Sequence, residues 1–75
     1  MQIRVQLMGG LKSKSPAGNR IELADGATIN DALSLLGLEA KQVQIVMHNS
    51  RPQPNRGTAV HDGDELTVVP PVGGG

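Results

Sequence analysis

A single amphipathic stripe sits in the middle of a chain whose other apolar residues mostly alternate with polar ones. Ile29, Ala32, Leu33 and Leu36 recur at i, i+3, i+4 and i+7, the spacing of one helical face. Thr28-Ile29-Asn30-Asp31 has the T-x-x-D form of a helix start. Its hydroxyl can accept a bond from an orphan amide, and its carboxylate favours the positive helix end. Gly37 supplies the stop. One helix has one face to bury, so the alternating segments on either side must furnish the surface it covers.

Those segments read as strands. Ile3, Val5 and Leu7 alternate with Gln2, Arg4 and Gln6, with Met8 on the outward face. Gly9-Gly10 ends or bends this strand, Leu11 turns back to the core, and residues 12–19 form a polar loop. Arg20-Ile21-Glu22-Leu23 resumes the alternation. After the helix, Val43, Ile45 and Met47 alternate with Gln44, Val46 and His48, which puts His48 on an outer face. Asn49-Ser50-Arg51-Pro52 reads as a turn, Val60 as an isolated core contact, and Asp62-Gly63-Asp64 as a second turn. Glu65-Leu66-Thr67-Val68-Val69 is the last strand, with Leu66 and Val68 inward and Val69 outward. Pro70-Pro71 stops it, because neither residue can donate to a ladder. The order is strand, strand, helix, strand, strand, and the simplest packing is an α+β layer pair with the helix across one face of a four-stranded sheet.

Size and composition then restrict what such a domain does. The 75 residues allow one thin core and no deep enclosed cleft, so function belongs on the surface or at a terminus. Seven basic and seven acidic residues balance, and Phe, Tyr and Trp are absent. Nucleic acid is therefore not an expected partner: there is neither a basic excess nor a ring on which a base could stack. Without cysteine there is no disulfide, thiolate metal site or cysteine nucleophile. The N-terminus lacks a signal-peptide apolar block, and no segment has membrane-spanning length, so a cytoplasmic protein without a membrane partner is expected. His48 and His61 have no metal-ligand spacing and read as solvated; no metal site is assigned. Asp62 and Asp64 read as turn caps, and Lys12 and Lys14 as a solvated loop.

What remains is the end of the sequence, Pro70-Pro71-Val72-Gly73-Gly74-Gly75. Glycine has no Cβ and can thread a narrow channel, while two prolines stiffen its base and aim it away from the body. Glycines alone are common at frayed ends. With P-P-V directly before them and a matching domain behind, they read as a functional tail.

The element order, the T-x-x-D helix start and D-G-D-E-L-T-V-V-P-P-V-G-G-G together resemble the ubiquitin-like β-grasp sulfur carriers, of the molybdopterin synthase small-subunit (MoaD) and thiamine-pathway (ThiS) type. The P-P-V element is closer to the molybdopterin branch. The resemblance implies a β-grasp domain over residues 1–72, a mixed four- to five-stranded sheet with first and last strands parallel at its centre and one main helix on one face, and a flexible glycine tail at 73–75. It implies a non-enzymatic carrier whose Gly75 carboxylate is adenylated and becomes a thiocarboxylate, with Gly73 and Gly74 as clearance. No cofactor is bound in that scheme; ATP is used by a partner adenylating enzyme of the ubiquitin-activating type. The implied further partners are a sulfur donor such as a cysteine desulfurase or rhodanese, and a molybdopterin synthase large subunit or a thiazole synthase. The destination implied first is molybdopterin biosynthesis, with this chain as the small subunit of the synthase; alternatives are a carrier for thiamine thiazole or another sulfur-containing metabolite, and a ubiquitin-like protein modifier. Partner contact falls to Met8, Val69, Pro70, Pro71 and Val72. Met8 and Val69 stand where the family often has larger aromatic residues, and a third glycine precedes the usual pair.

Overall fold

The computed structural model describes residues 1–72. Its strands are β1 (Gln2–Leu7), β2 (Arg20–Glu22), β3 (Ile45–His48), β4 (Arg51–Pro52) and β5 (Glu65–Val69), with one α-helix, α1 (Ile29–Leu35). They form a five-stranded sheet in the order β2-β1-β5-β3-β4. β1 and β5 run parallel at the centre, and the other pairings are antiparallel. This is the mixed β-grasp sheet that the resemblance implies.

The alternation in β1 buries Ile3, Val5 and Leu7, and that in β5 buries Leu66 and Val68. These side chains meet Ile29, Ala32 and Leu33 of α1, with Val60 filling the same core. Both helix ends are capped. Thr28 and Asp31 form a reciprocal capping box: Thr28 Oγ1 accepts from the Asp31 amide at 3.3 Å, and Asp31 Oδ2 from the Thr28 amide at 2.8 Å. The next orphan donors, the amides of Ile29 and Asn30, reach the carbonyls of Thr58 and Arg56 at 3.0 and 2.9 Å. At the other end Gly37 takes φ +74°, and the Leu38 and Gly37 amides return to the carbonyls of Leu33 and Ser34.

Three sequence expectations are corrected. Val43 is buried as expected, but the inward residue of β3 is Val46 at 2% exposure, while Ile45 is 44% exposed. A 3-10 turn at Ala40–Gln42 delivers Val43 to the core, and the chain bends at Gln44 before pairing begins, so the alternation restarts one residue out of phase. Arg51–Pro52 is not turn but a two-residue edge strand on β3; Asn49 and Ser50, at φ +52° and +70°, make the turn. Pro52 is tolerated because β4 has a neighbour on one side only. Residues 12–19 also hold more structure than a loop. A 3-10 helix at Gly9–Lys14 buries Leu11, and Lys14 Nζ donates to the Gly37 carbonyl at 2.9 Å, so this lysine closes the end of α1.

Candidate functional site

The last strand leaves the sheet from its middle. Its final carbonyls are held from both sides: Val68 accepts from the Met8 amide at 3.0 Å and Val69 from the Gln44 amide at 2.8 Å. Pro70 and Pro71 follow and have no N–H to continue either ladder. Parallel pairing of Leu7 with Val68 sets Met8 beside this exit, and antiparallel pairing sets Ile45 opposite Val69. Of the residues expected to contact a partner, Met8, Val69, Pro70 and Pro71 are half-buried around the exit, and Val72 is 97% exposed. Gly73, Gly74 and Gly75 lie outside the described residues.

The sequence reading missed the residues that enlarge this surface. Because β3 is out of phase, Ile45 and Met47 lie on the face away from the core, and Met47 pairs with Pro52. Ile45, Met47, Pro52 and Pro54 line an open cleft of about 300 Å³, with Gln53 and Arg56 at its polar side. Arg56 is fixed there, its Nη2 donating to the Val43 carbonyl at 3.0 Å. An apolar row therefore crosses the outer face from Met8 through Val69 and Ile45 to Pro52. The signal lay in Ile45-Val46-Met47, three apolar residues whose phase only the pairing partner decides.

The other end of β5 carries the polar cluster. His48 is not a solvated outer-face residue: its Nε2–H donates to Asp64 Oδ2 at 2.7 Å, with the two side chains 16% and 14% exposed. Asn49 Nδ2 and the His61 amide also donate to Asp64, at 3.0 and 2.8 Å. Burial pushes the Asp64 carboxyl up, but the bonds from His48, Asn49 and the His61 amide together outweigh it and bring it down to about 2. Asp62 Oδ1 accepts from the Gln2 amide at 2.7 Å and ties the turn to β1, so of the two aspartates only Asp64, through the His61 amide, caps the turn as expected. His61 is 80% exposed, its Nδ1 3.8 Å from Asp64. Among the described residues no group of three acidic or histidine side chains is arranged to hold a metal ion, and no helix is long and apolar enough to cross a membrane.

A family model described as the ThiS family matches residues 5–75. Among solved structures, SAMP1 from Haloferax volcanii is 28% identical with a TM-score of 0.76, and the match covers 100% of both chains. A structure of H. volcanii small archaeal modifier protein 1 is 26% identical with a TM-score of 0.73, covering 95% of this chain and 98% of that one. In a complex of subunits 1 and 2 of molybdopterin-converting factor from Helicobacter pylori, one chain is 22% identical with a TM-score of 0.65 over 100% of both. That last likeness is one of fold alone. No curated protein matches the sequence.

Proposed function

Because the chain belongs to the ThiS family of ubiquitin-like proteins, we propose that it is a sulfur carrier whose Gly75 carboxylate is the working group. The observation that carries this reading is the exit itself. A central strand, bonded on both flanks, ends in two prolines beside an apolar outer face and leads directly into Gly73-Gly74-Gly75. The body docks through that face while the tail reaches into a second protein.

The chemistry asked of the tail is small. A terminal carboxylate is ionised at neutral pH, with an ordinary pKa of about 3.3–3.7. One of its oxygens attacks the α-phosphorus of ATP held by an adenylating enzyme, and pyrophosphate leaves. A sulfur nucleophile at the oxidation level of hydrosulfide then adds to the acyl carbon and expels AMP, leaving a thiocarboxylate on Gly75. Neither step draws a proton donor or nucleophile from the rest of this chain, and neither needs a cofactor bound to it. The sulfur is destined for molybdopterin synthesis, with this chain as the small subunit of the synthase; P-P-V before the glycines is the sequence feature that favours this destination.

Co-expression with the adenylating enzyme and a sulfur source, followed by intact-mass measurement, tests the carrier step. The expected result is a mass gain of one oxygen-to-sulfur exchange at Gly75, lost when Gly75 is deleted. An unmodified wild-type chain overturns the reading. The likeness to small archaeal modifier protein 1 favours a second reading, in which Gly75 is joined to lysines of other proteins. Conjugates whose branched peptides end in Gly75 would establish it.

A further inference from the structure

Gly9 and Pro70 meet at the base of the tail, a contact that the sequence reading of Gly9-Gly10 as a strand end does not contain. Gly9 follows the last parallel bond of β1, where the Met8 amide reaches Val68, and it opens the 3-10 helix with φ +54°. A Cβ built on Gly9 would stand 3.1 Å from Pro70 Cγ and 3.8 Å from Pro70 Cδ. Few carbon contacts are that close, so the proline ring lies against the bare Cα of the glycine. Gly10, one residue on, has nothing within 4 Å of the same position.

From this geometry we infer that Gly9 is a positioning residue for the tail: its missing side chain is the seat of Pro70, and the seat sets the direction in which residues 70–72 leave the sheet. The inference rests on the carrier reading for its consequence, but not for its geometry. A ring pushed off its seat turns the whole Pro70-Pro71 segment, because each proline fixes φ and leaves only ψ to take up the tilt. A small displacement at Pro70 therefore grows along the chain. Misplacement of a reacting group by about 1 Å can cost about a hundredfold in rate.

A turn glycine with no further role needs only its positive φ, and asparagine tolerates that conformation. The seat needs the absence of Cβ, which asparagine does not provide. Gly9→Asn thus separates the two, with Gly10→Ala as the control. The first measurement is ATP–pyrophosphate exchange by the adenylating enzyme with the full-length chain as substrate. Gly9→Asn is expected to lower kcat about tenfold with KM changed less, since docking through the outer face is kept. Gly10→Ala should match the wild type, and thermal melts should place both variants close to it. In a Pro70→Ala background, which lacks Cγ, Gly9→Asn should make little further difference. Equal losses in both backgrounds, or no loss from Gly9→Asn, would overturn the proposal.

The second measurement needs no enzyme. In NMR spectra of the full chain, Gly9 Hα should show a cross-peak to Pro70 Hγ, and the Val72 amide should shift in Gly9→Asn but not in Gly10→Ala. An unmoved Val72 amide overturns the seat even if the chain is activated normally. A shifted amide in a chain that no adenylating enzyme accepts supports the seat and instead sinks the carrier reading.

Discussion

The two ends of β5 are built from different materials. At its start Asp64 gathers three donors, Asn49 Oδ1 accepts from the Glu65 amide at 2.8 Å, and the Asp64 carbonyl accepts from Arg4 at 2.9 Å. At its finish, among the described residues, no side-chain hydrogen bond reaches positions 66–72; half-buried Met8, Val69 and Pro70 adjoin the exposed Ile45 instead. Polar atoms that are satisfied internally hold a strand but offer little to a partner. Apolar atoms left partly open stabilise little in the free chain and gain when a second surface covers them. Internally satisfied polar groups and open apolar surface are thus separated along one strand, five residues long.

Asp64→Ala attacks the first end and should have the largest effect. It removes the acceptor of His48, Asn49 and the His61 amide, and hydrogen bonds to a charged group are worth about 1.5–3 kcal/mol each. A loss of about 3 kcal/mol in urea unfolding is expected, with binding through the other end retained by whatever fraction stays folded. A change below about 1 kcal/mol would mean that the cluster is ornamental.

Acid probes the same end without a mutation. The Asp64 carboxyl titrates at about 2 in the folded chain against an ordinary 3.8, so its contribution is fully present above the higher value and is lost as pH falls through the lower. About 2 kcal/mol should disappear between pH 4 and 2 on this account. Asp64→Asn should flatten that part of the stability curve; an unchanged slope would remove Asp64 from the explanation.

Ile45→Asp tests the opposite end. Stability should move by less than about 1 kcal/mol, since the side chain is 44% exposed, while affinity for the adenylating enzyme should fall about tenfold by calorimetry. Unimpaired binding would show that the apolar row is not the docking surface. The smallest effect belongs to His61→Ala. Its ring is exposed and only loosely paired, and its amide, which survives the change, makes the bond to Asp64. Less than about 0.5 kcal/mol is expected.

What the sequence made legible was whatever depends on neighbours in the chain. The Thr28–Asp31 box, the Gly37 stop and the alternation of Leu66, Val68 and Val69 are local, and the structure has each of them. The phase of β3 was not legible, because Ile45-Val46-Met47 suits either face and the pairing of Val46 with Val68 decides. Nor was His48, whose partner stands sixteen positions away across the sheet. The exit at Pro70-Pro71 was visible from the absence of amides alone. The row from Val69 to Pro52 was not, since it exists only through two strand registers. The reactive Gly75 and its clearance at Gly73 and Gly74 are read from the sequence and the family likeness alone.

The central place of β5 also bears on how the molecule is made. Its partners are the first strand of the chain and one from the middle, so the sheet has no finished interior until residues near Val68 have been synthesised. A chain halted earlier lacks its middle plank: β1 and β3 have nothing to pair with between them, and the apolar row across the outer face is never assembled. A partner that bound through that row would meet only chains whose synthesis had reached the threshold of the tail.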